Sequence, residues 1–171
     1  MHYDTPTQEL LDLINSTREK YHSELHANNV TVDAVLAYND KAEYPVKQGG
    51  YPVLAFTKIS SLKNRVKGFA DAEITIDGSA WESLNDAQKE ALIDRELHSL
   101  TLVYDKEGAL KTDDANRPKI RLKKYSYRLS WFTEIAKRHK QNSPEVYQAK
   151  ILWDNDSEVF FPDYGTSITV H

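Results

Sequence analysis

Arg95, Glu96 and Ser99 are the residues whose types and spacing most invite a chemical reading. They lie on residues 81–104, W-E-S-L-N-D-A-Q-K-E-A-L-I-D-R-E-L-H-S-L-T-L-V-Y, which the pattern predicts to be the best helix of the chain. Asn85 followed by Gln88 is a capping-box start, each side chain able to satisfy a backbone N–H that a first helical turn leaves unpaired. Ile93, Leu97, Leu100 and Tyr104 then recur at i, i+4, i+7 and i+11 as one apolar stripe. Across the helix runs a mixed row of Leu92, Arg95, Glu96, Ser99 and Val103. Of the polar trio, Glu96 could act as a base. Arg95 stays charged at any ordinary pH, has no lone pair for a cation, and could pair with Glu96. Such a pair, if buried, leaves a stranded charge when one partner is lost, so Glu96→Gln is expected to lower the melting temperature. His98 sits two residues from Glu96, about 160° around the helix, and so points away from it.

Other candidates are weaker. His22 and His26 stand one turn apart, a spacing that could hold a metal, although histidines near a helix C-terminus are also favoured by the helix dipole alone. Asp113-Asp114 and Asp154/Asp156 read as turns. The six glycines form no phosphate-binding loop, and no Gly-x-Ser-x-Gly elbow is present. The segment R-P-K-I-R-L-K-K-Y-S-Y-R-L-S-W is basic and aromatic. Its cations Arg117, Lys119, Arg121, Lys123, Lys124 and Arg128 could neutralise phosphates, with Tyr125, Tyr127 or Trp131 to stack on bases. A charged edge strand followed by a helix with inward aromatics would look the same.

The elements that must position these residues follow from periodicity. Residues 6–27 read as an amphipathic helix with Leu10, Ile14, Thr17, Tyr21 and Leu25 inward, closed at Asn28-Asn29. Strands are expected at 30–37, 52–57, 72–76 and 119–123, forming one small mixed sheet under the 85–104 helix. A polar loop spans 38–51, a short helix 59–67, and turns fall at Asp77-Gly78 and at 105–108. A last helix is expected at 125–140, with Leu129, Phe132, Ile135 and Ala136 inward. Beyond it, 146–153 and 158–161 could pair as a hairpin. The domain reading is 1–142, followed by an extension at 143–171.

At 171 residues, 40% hydrophobic and 28% charged, the chain has the make-up of one globular domain. Without cysteine it can have neither disulfides nor a thiol nucleophile. No apolar run approaches a membrane span, and Met1-His2-Tyr3-Asp4 lacks a signal peptide's start, so a soluble cytoplasmic protein is expected. The net charge of −4 is unevenly spread. Residues 117–140 carry nine Lys/Arg against one acid, whereas 143–171 carry five acids against one Lys, together with five aromatics.

A-L-I-D-R-E-L-H-S-L resembles the A-L-L-D-H-E-L-x-H segment of the zincin-like phage metallopeptidase family. Upstream, K-I-S-S-L-K-N-R-V-K-G-F-A-D-A-E-I-T-I-D followed by a Trp is similar to the same family, as are R-P-K-I-R-L and W-F-T-E-I-A-K-R-H downstream. The resemblance covers roughly residues 10–140. It implies an α+β, zincin-like fold: a small mixed sheet, an N-terminal helix, a central former active-site helix and a C-terminal helix, plus the C-terminal extension. It also implies a zinc held by two histidines one helical turn apart, with the intervening Glu as general base. The matching positions here are Arg95 and Ser99, and only Glu96 agrees. The region expected to supply the remaining ligand, Tyr127-Arg128-Leu129-Ser130, holds no His or carboxylate. The site therefore reads as degenerate, with no catalytic residue, metal or other cofactor expected.

Three functional classes compete. The first is a catalytically silent relative that works by binding a host or defence factor, as inhibitor or adaptor. The second is a nucleic-acid-binding module built on 117–128. The third is an active metal-dependent peptidase with rearranged ligands such as His98, His139 or His22/His26. The expected partner is a host or phage protein, with nucleic acid as the alternative and no membrane; the oligomeric state is left open.

Overall fold

The computed structural model describes residues 1–41, 44–125, 131–154, 158–161 and 166–169. Contacts group the chain into two compact units, Met1–Lys123 and Lys124–His171, so the boundary drawn after residue 142 falls within the second.

The first unit opens with strand β1 (His2–Asp4), then helix α1 (Gln8–Tyr21) capped by Thr7, whose hydroxyl accepts from Leu10 N at 3.2 Å. Helix α2 (Ser23–Ala27) follows a break at His22, where φ −125° and ψ 56° leave the helical region. The single helix expected at 6–27 is thus two. Leu10, Ile14, Thr17 and Leu25 are buried as expected, but Tyr21 is half exposed and donates its hydroxyl to Glu90. Strand β2 (Val32–Tyr38) leads into a short ladder, β3 (Lys47–Gln48) with β4 (Tyr51–Pro52), and then β5 (Ala55–Ile59). The strand expected at 52–57 is therefore displaced: Pro52 ends one strand, and the main-sheet strand begins only at Ala55. Helix α3 (Leu62–Val66) is capped by Ser61 and stopped by Gly68 at φ +87°, a conformation costly for any side chain.

Strand β6 (Ala72–Asp77) runs directly into α4 (Gly78–Ser83). A Cβ on Gly78 would lie 2.2 Å from the Tyr38 ring, so the end of β2 can cover this turn only because residue 78 is glycine. Next come α5 (Asp86–His98), β7 (Leu100–Leu102) and β8 (Ile120–Leu122). The main sheet has the order β1-β2-β6-β5, with β2 and β6 parallel and the other pairs antiparallel. It is mixed, as expected, and gains β1 at one edge. The 120–122 strand does not join it. It pairs with β7 in a separate two-stranded sheet, Leu100 opposite Leu122 and Leu102 opposite Ile120.

That pairing corrects the helix expected at 85–104. The capping box is present, Asn85 Oδ1 accepting from Gln88 N and Gln88 Oε1 from Asn85 N, both at 3.0 Å. The helix nevertheless stops at His98. L-T-L-V satisfies both a helical and a two-residue period, and its β-branched Thr101 and Val103 take the extended option once a partner strand is alongside. Leu100 stays buried from a strand, while Tyr104, assigned to the apolar stripe, is 44% exposed. The core is built from Leu10, Ile14, Val30, Ile74, Ile76, Ile93 and Leu97, where α1 and α5 pack on the sheet.

In the second unit, α6 (Thr133–His139) is shorter than the helix expected at 125–140, and residues 126–130, including Leu129, lie outside the described residues. Phe132 precedes α6 and is 70% exposed instead of inward. Helix α7 (Pro144–Asp154) replaces the first strand of the expected hairpin. Ser143 accepts from Val146 N at 3.2 Å, Pro144 takes the first helical position and Glu145 the first turn, a helix start present in the sequence. The second strand, β9 (Glu158–Phe161), pairs antiparallel with β10 (Thr166–Thr169). Among the described residues no helix is long and apolar enough to cross a membrane.

Candidate functional site

Helix α5 sets its polar row against the edge strand β5. Glu96 is 5% exposed, and its carboxylate lies between two donors: Thr57 Oγ1 of β5 at 2.9 Å and the Arg95 guanidinium at 2.7 Å. Burial raises the Glu96 carboxyl above its ordinary range, against the opposing pull of the Thr57 hydroxyl and the Arg95 charge. The Arg95 side chain is 49% exposed, so the pair has one dry member and one wet one. Ser99 caps the end of α5, its hydroxyl donating to the Glu96 carbonyl at 2.6 Å.

His98 faces the other way, as the helical wheel requires. Its ring lies 6.1 Å from that of His22, and His22 Nε2 is 2.7 Å from Asp94 Oδ1. At the turn break, His22 thus approaches each of the two, without the three forming one cluster. The i, i+4 partner expected for His22 is His26, which stands exposed on α2, and nothing local marks Asp94, which lies 72 residues away. His139 belongs to the second unit. Among the described residues no group of three or more His, Asp or Glu side chains is gathered to hold a metal ion.

Beside Arg95 opens a cleft of about 600 Å³, walled by Tyr44, Pro52, Leu54, Asp77 and Leu92 among others. Leu54 and Tyr44 are nearly half exposed on its rim. Asp77 is buried, and its Oδ1 accepts from Ala80 N at 3.0 Å to cap α4, so its carboxylate already serves the fold.

Among the described residues, the cations of the basic segment differ in how they are placed. Arg117 turns inward, donating to the carbonyls of Arg65 and Phe69 and to Thr31 Oγ1, and pairing with Asp71 at 2.8 Å. Lys119, Arg121 and Lys123 are exposed along β8. Lys124 is exposed at the start of the second unit, and Arg128 lies outside the described residues.

The sequence matches the family described as "Putative phage metallopeptidase" over residues 3–154. The chain belongs to that family. The α+β fold, with its small mixed sheet and α5 laid against it, agrees with the phage metallopeptidase assignment and with the resemblance carried by A-L-I-D-R-E-L-H-S-L. No curated protein and no solved structure matches the chain significantly. The family name implies a metal, but Arg95, Glu96 and Ser99 as they are placed here do not fit one. Arg95 brings a cation, Ser99 is bonded to its own helix, and Glu96 is held by Thr57 and Arg95.

Proposed function

We propose that this phage metallopeptidase relative acts by binding and not by turnover. In this reading it recognises a protein of the host cell cytoplasm, a defence factor among them, as an inhibitor or adaptor. The observation that carries the reading is the Arg95–Glu96 ion pair. A fixed guanidinium neutralises the carboxylate that would otherwise serve as general base, at the helix position where a ligand histidine would stand. What the scaffold retains is a shaped surface. The cleft beside Arg95 has an apolar rim at Tyr44, Pro52 and Leu54, and it borders β5, an edge strand able to accept an extended segment of another chain.

Elemental analysis of the purified protein is expected to find no stoichiometric zinc, and peptide substrates no chelator-sensitive cleavage. Affinity capture from host lysate is expected to recover one stoichiometric protein with the wild type. Leu54→Asp, at a half-exposed rim position, should lose it while keeping the wild-type melting temperature. Zinc at one per chain together with cleavage blocked by a chelator would overturn the proposal.

A further inference from the structure

The β7–β8 pair turns one face to the core and the other to solvent. Leu100, Leu102 and Ile120 are 2%, 3% and 7% exposed, while Leu122 of the same face is 46% exposed; the alternate positions, Thr101 opposite Arg121 with Lys119 two residues before, stand on the outer face. Backbone hydrogen bonds extend that face beyond the two strands. Val103 N–H donates to the Lys119 carbonyl at 2.9 Å, Lys119 N–H to Lys111 at 2.8 Å, and Lys111 N–H to Val103 at 2.9 Å. Three chain segments thus meet in a closed ring of bonds. Lys123 N–H continues the ladder to the Ser99 carbonyl at 2.7 Å. Residues directly opposite share a face, so Lys111, Lys119, Arg121 and Lys123 stand together.

Two features separate this face from an ordinary solvated one. Its cross-strand neighbours are Thr101 and Val103, and Lys111 is joined to Lys119 by a backbone hydrogen bond, which sets two like charges on neighbouring segments. Among the described residues no carboxylate forms an ion pair with any of the four. Two acids of the adjoining turns are engaged elsewhere, Asp105 Oδ1 accepting from Glu107 N and Ala109 N, and Asp113 holding Arg65.

We propose that this outer face binds the phosphate backbone of nucleic acid. The proposal is independent of the Arg95–Glu96 site; it keeps Lys119, Arg121 and Lys123 of the basic run 117–128, adds Lys111 from outside it, and excludes Arg117, which is committed inward. Three of the four are lysines, a residue depleted at the centre of protein–protein interfaces but ordinary in phosphate contacts. Along β8 the cations recur at the two-residue period of a strand, about 6.6–6.8 Å, which suits a line of evenly spaced phosphates better than a compact acidic patch.

The test is fluorescence anisotropy with a short labelled DNA duplex and a short labelled single-stranded RNA. With four phosphate contacts, affinity for at least one probe should fall about a hundredfold between about 50 and 200 mM salt. Lys119→Glu with Arg121→Glu, which leaves the backbone ladder in place, should weaken binding at least tenfold and flatten the salt slope by about two. Lys119→Ala with Arg121→Ala should do so to a lesser degree, with the melting temperature of the wild type. Lys63→Glu with Lys67→Glu changes net charge equally on α3 and its end, and should leave binding within about twofold. No binding of either probe at low salt would overturn the proposal, as would an equal loss in the α3 control. Displacement of the probe by polyglutamate as readily as by unlabelled nucleic acid would overturn it too, and would indicate an acidic protein instead.

Discussion

Asp71→Ala should unfold the first unit more readily than any other single charge removal, by about 3–5 kcal/mol. Asp71 is 1% exposed, and its carboxylate accepts from Thr31 N at 2.8 Å, Thr31 Oγ1 at 3.0 Å and Arg65 Nε at 2.8 Å, while Arg117 pairs with it at 2.8 Å. It ties the approach to β2, the start of β6, helix α3 and the 113–117 turn at one point. Arg65 is itself 6% exposed, so losing Asp71 leaves a guanidinium out of water with Asp113 and the Pro118 carbonyl as its remaining partners. Urea denaturation at neutral pH measures the loss, and a loss below about 1 kcal/mol would contradict the account.

The pH dependence follows from the same contacts. Burial by itself would raise the Asp71 carboxyl, but the Thr31 N–H, the Arg65 and Arg117 guanidiniums and the Thr31 hydroxyl outweigh it and hold it below the ordinary carboxylate value. A depressed folded-state pKa contributes stability that is fully present above the unfolded-state value, about 3.9, and is lost as pH falls through the folded-state value. The gap between wild type and Asp71→Asn should therefore be largest at neutral pH and close in strong acid.

Arg95→Met and Glu96→Gln should not be equivalent, although each breaks the same pair. Arg95→Met leaves a carboxylate 5% exposed with Thr57 as its remaining side-chain donor, and should cost about 1–3 kcal/mol at neutral pH. Glu96→Gln keeps an oxygen for the Thr57 hydroxyl and takes the carboxylate from a guanidinium that is already 49% exposed. Because burial holds the Glu96 carboxyl above its ordinary value, the folded state binds the proton more tightly than the unfolded one. Stability from this group is then greatest below the ordinary glutamate value and falls as pH rises toward the folded-state value. Glu96→Gln should match or exceed the wild type at neutral pH and converge with it in acid. This reverses the expectation drawn from the sequence, which assumed that both partners are buried. Melting curves of the two variants from pH 4 to pH 8 decide the matter; a larger loss in Glu96→Gln than in Arg95→Met would refute the asymmetry.

Most of what is local in this chain can be read from its residues alone. The Asn85/Gln88 box, the Ile93 and Leu97 stripe, the 72–76 strand and the opposition of His98 to Glu96 all depend on residues within a turn or a pleat of one another, and all are present. The pairing of Arg95 with Glu96 was legible for the same reason. The family could be read because A-L-I-D-R-E-L-H-S-L and its flanking segments retain their order along the chain.

The rest depended on long-range packing, wherever one stretch of residues satisfied two local solutions. L-T-L-V became strand β7 because β8 lay alongside it, and residues 144–154 became a helix although their apolar positions also allowed a strand. Arg117 and Lys119 are alike in type and two positions apart, yet one is consumed by Asp71 and Thr31 and the other is offered to solvent. Asp71, among the described residues the most heavily bonded carboxylate of the first unit, carries no mark in the sequence, for its partners come from positions 31, 65 and 117. Charge and hydropathy are properties of a residue, but burial and partnership belong to the packing, and only the fold assigns them.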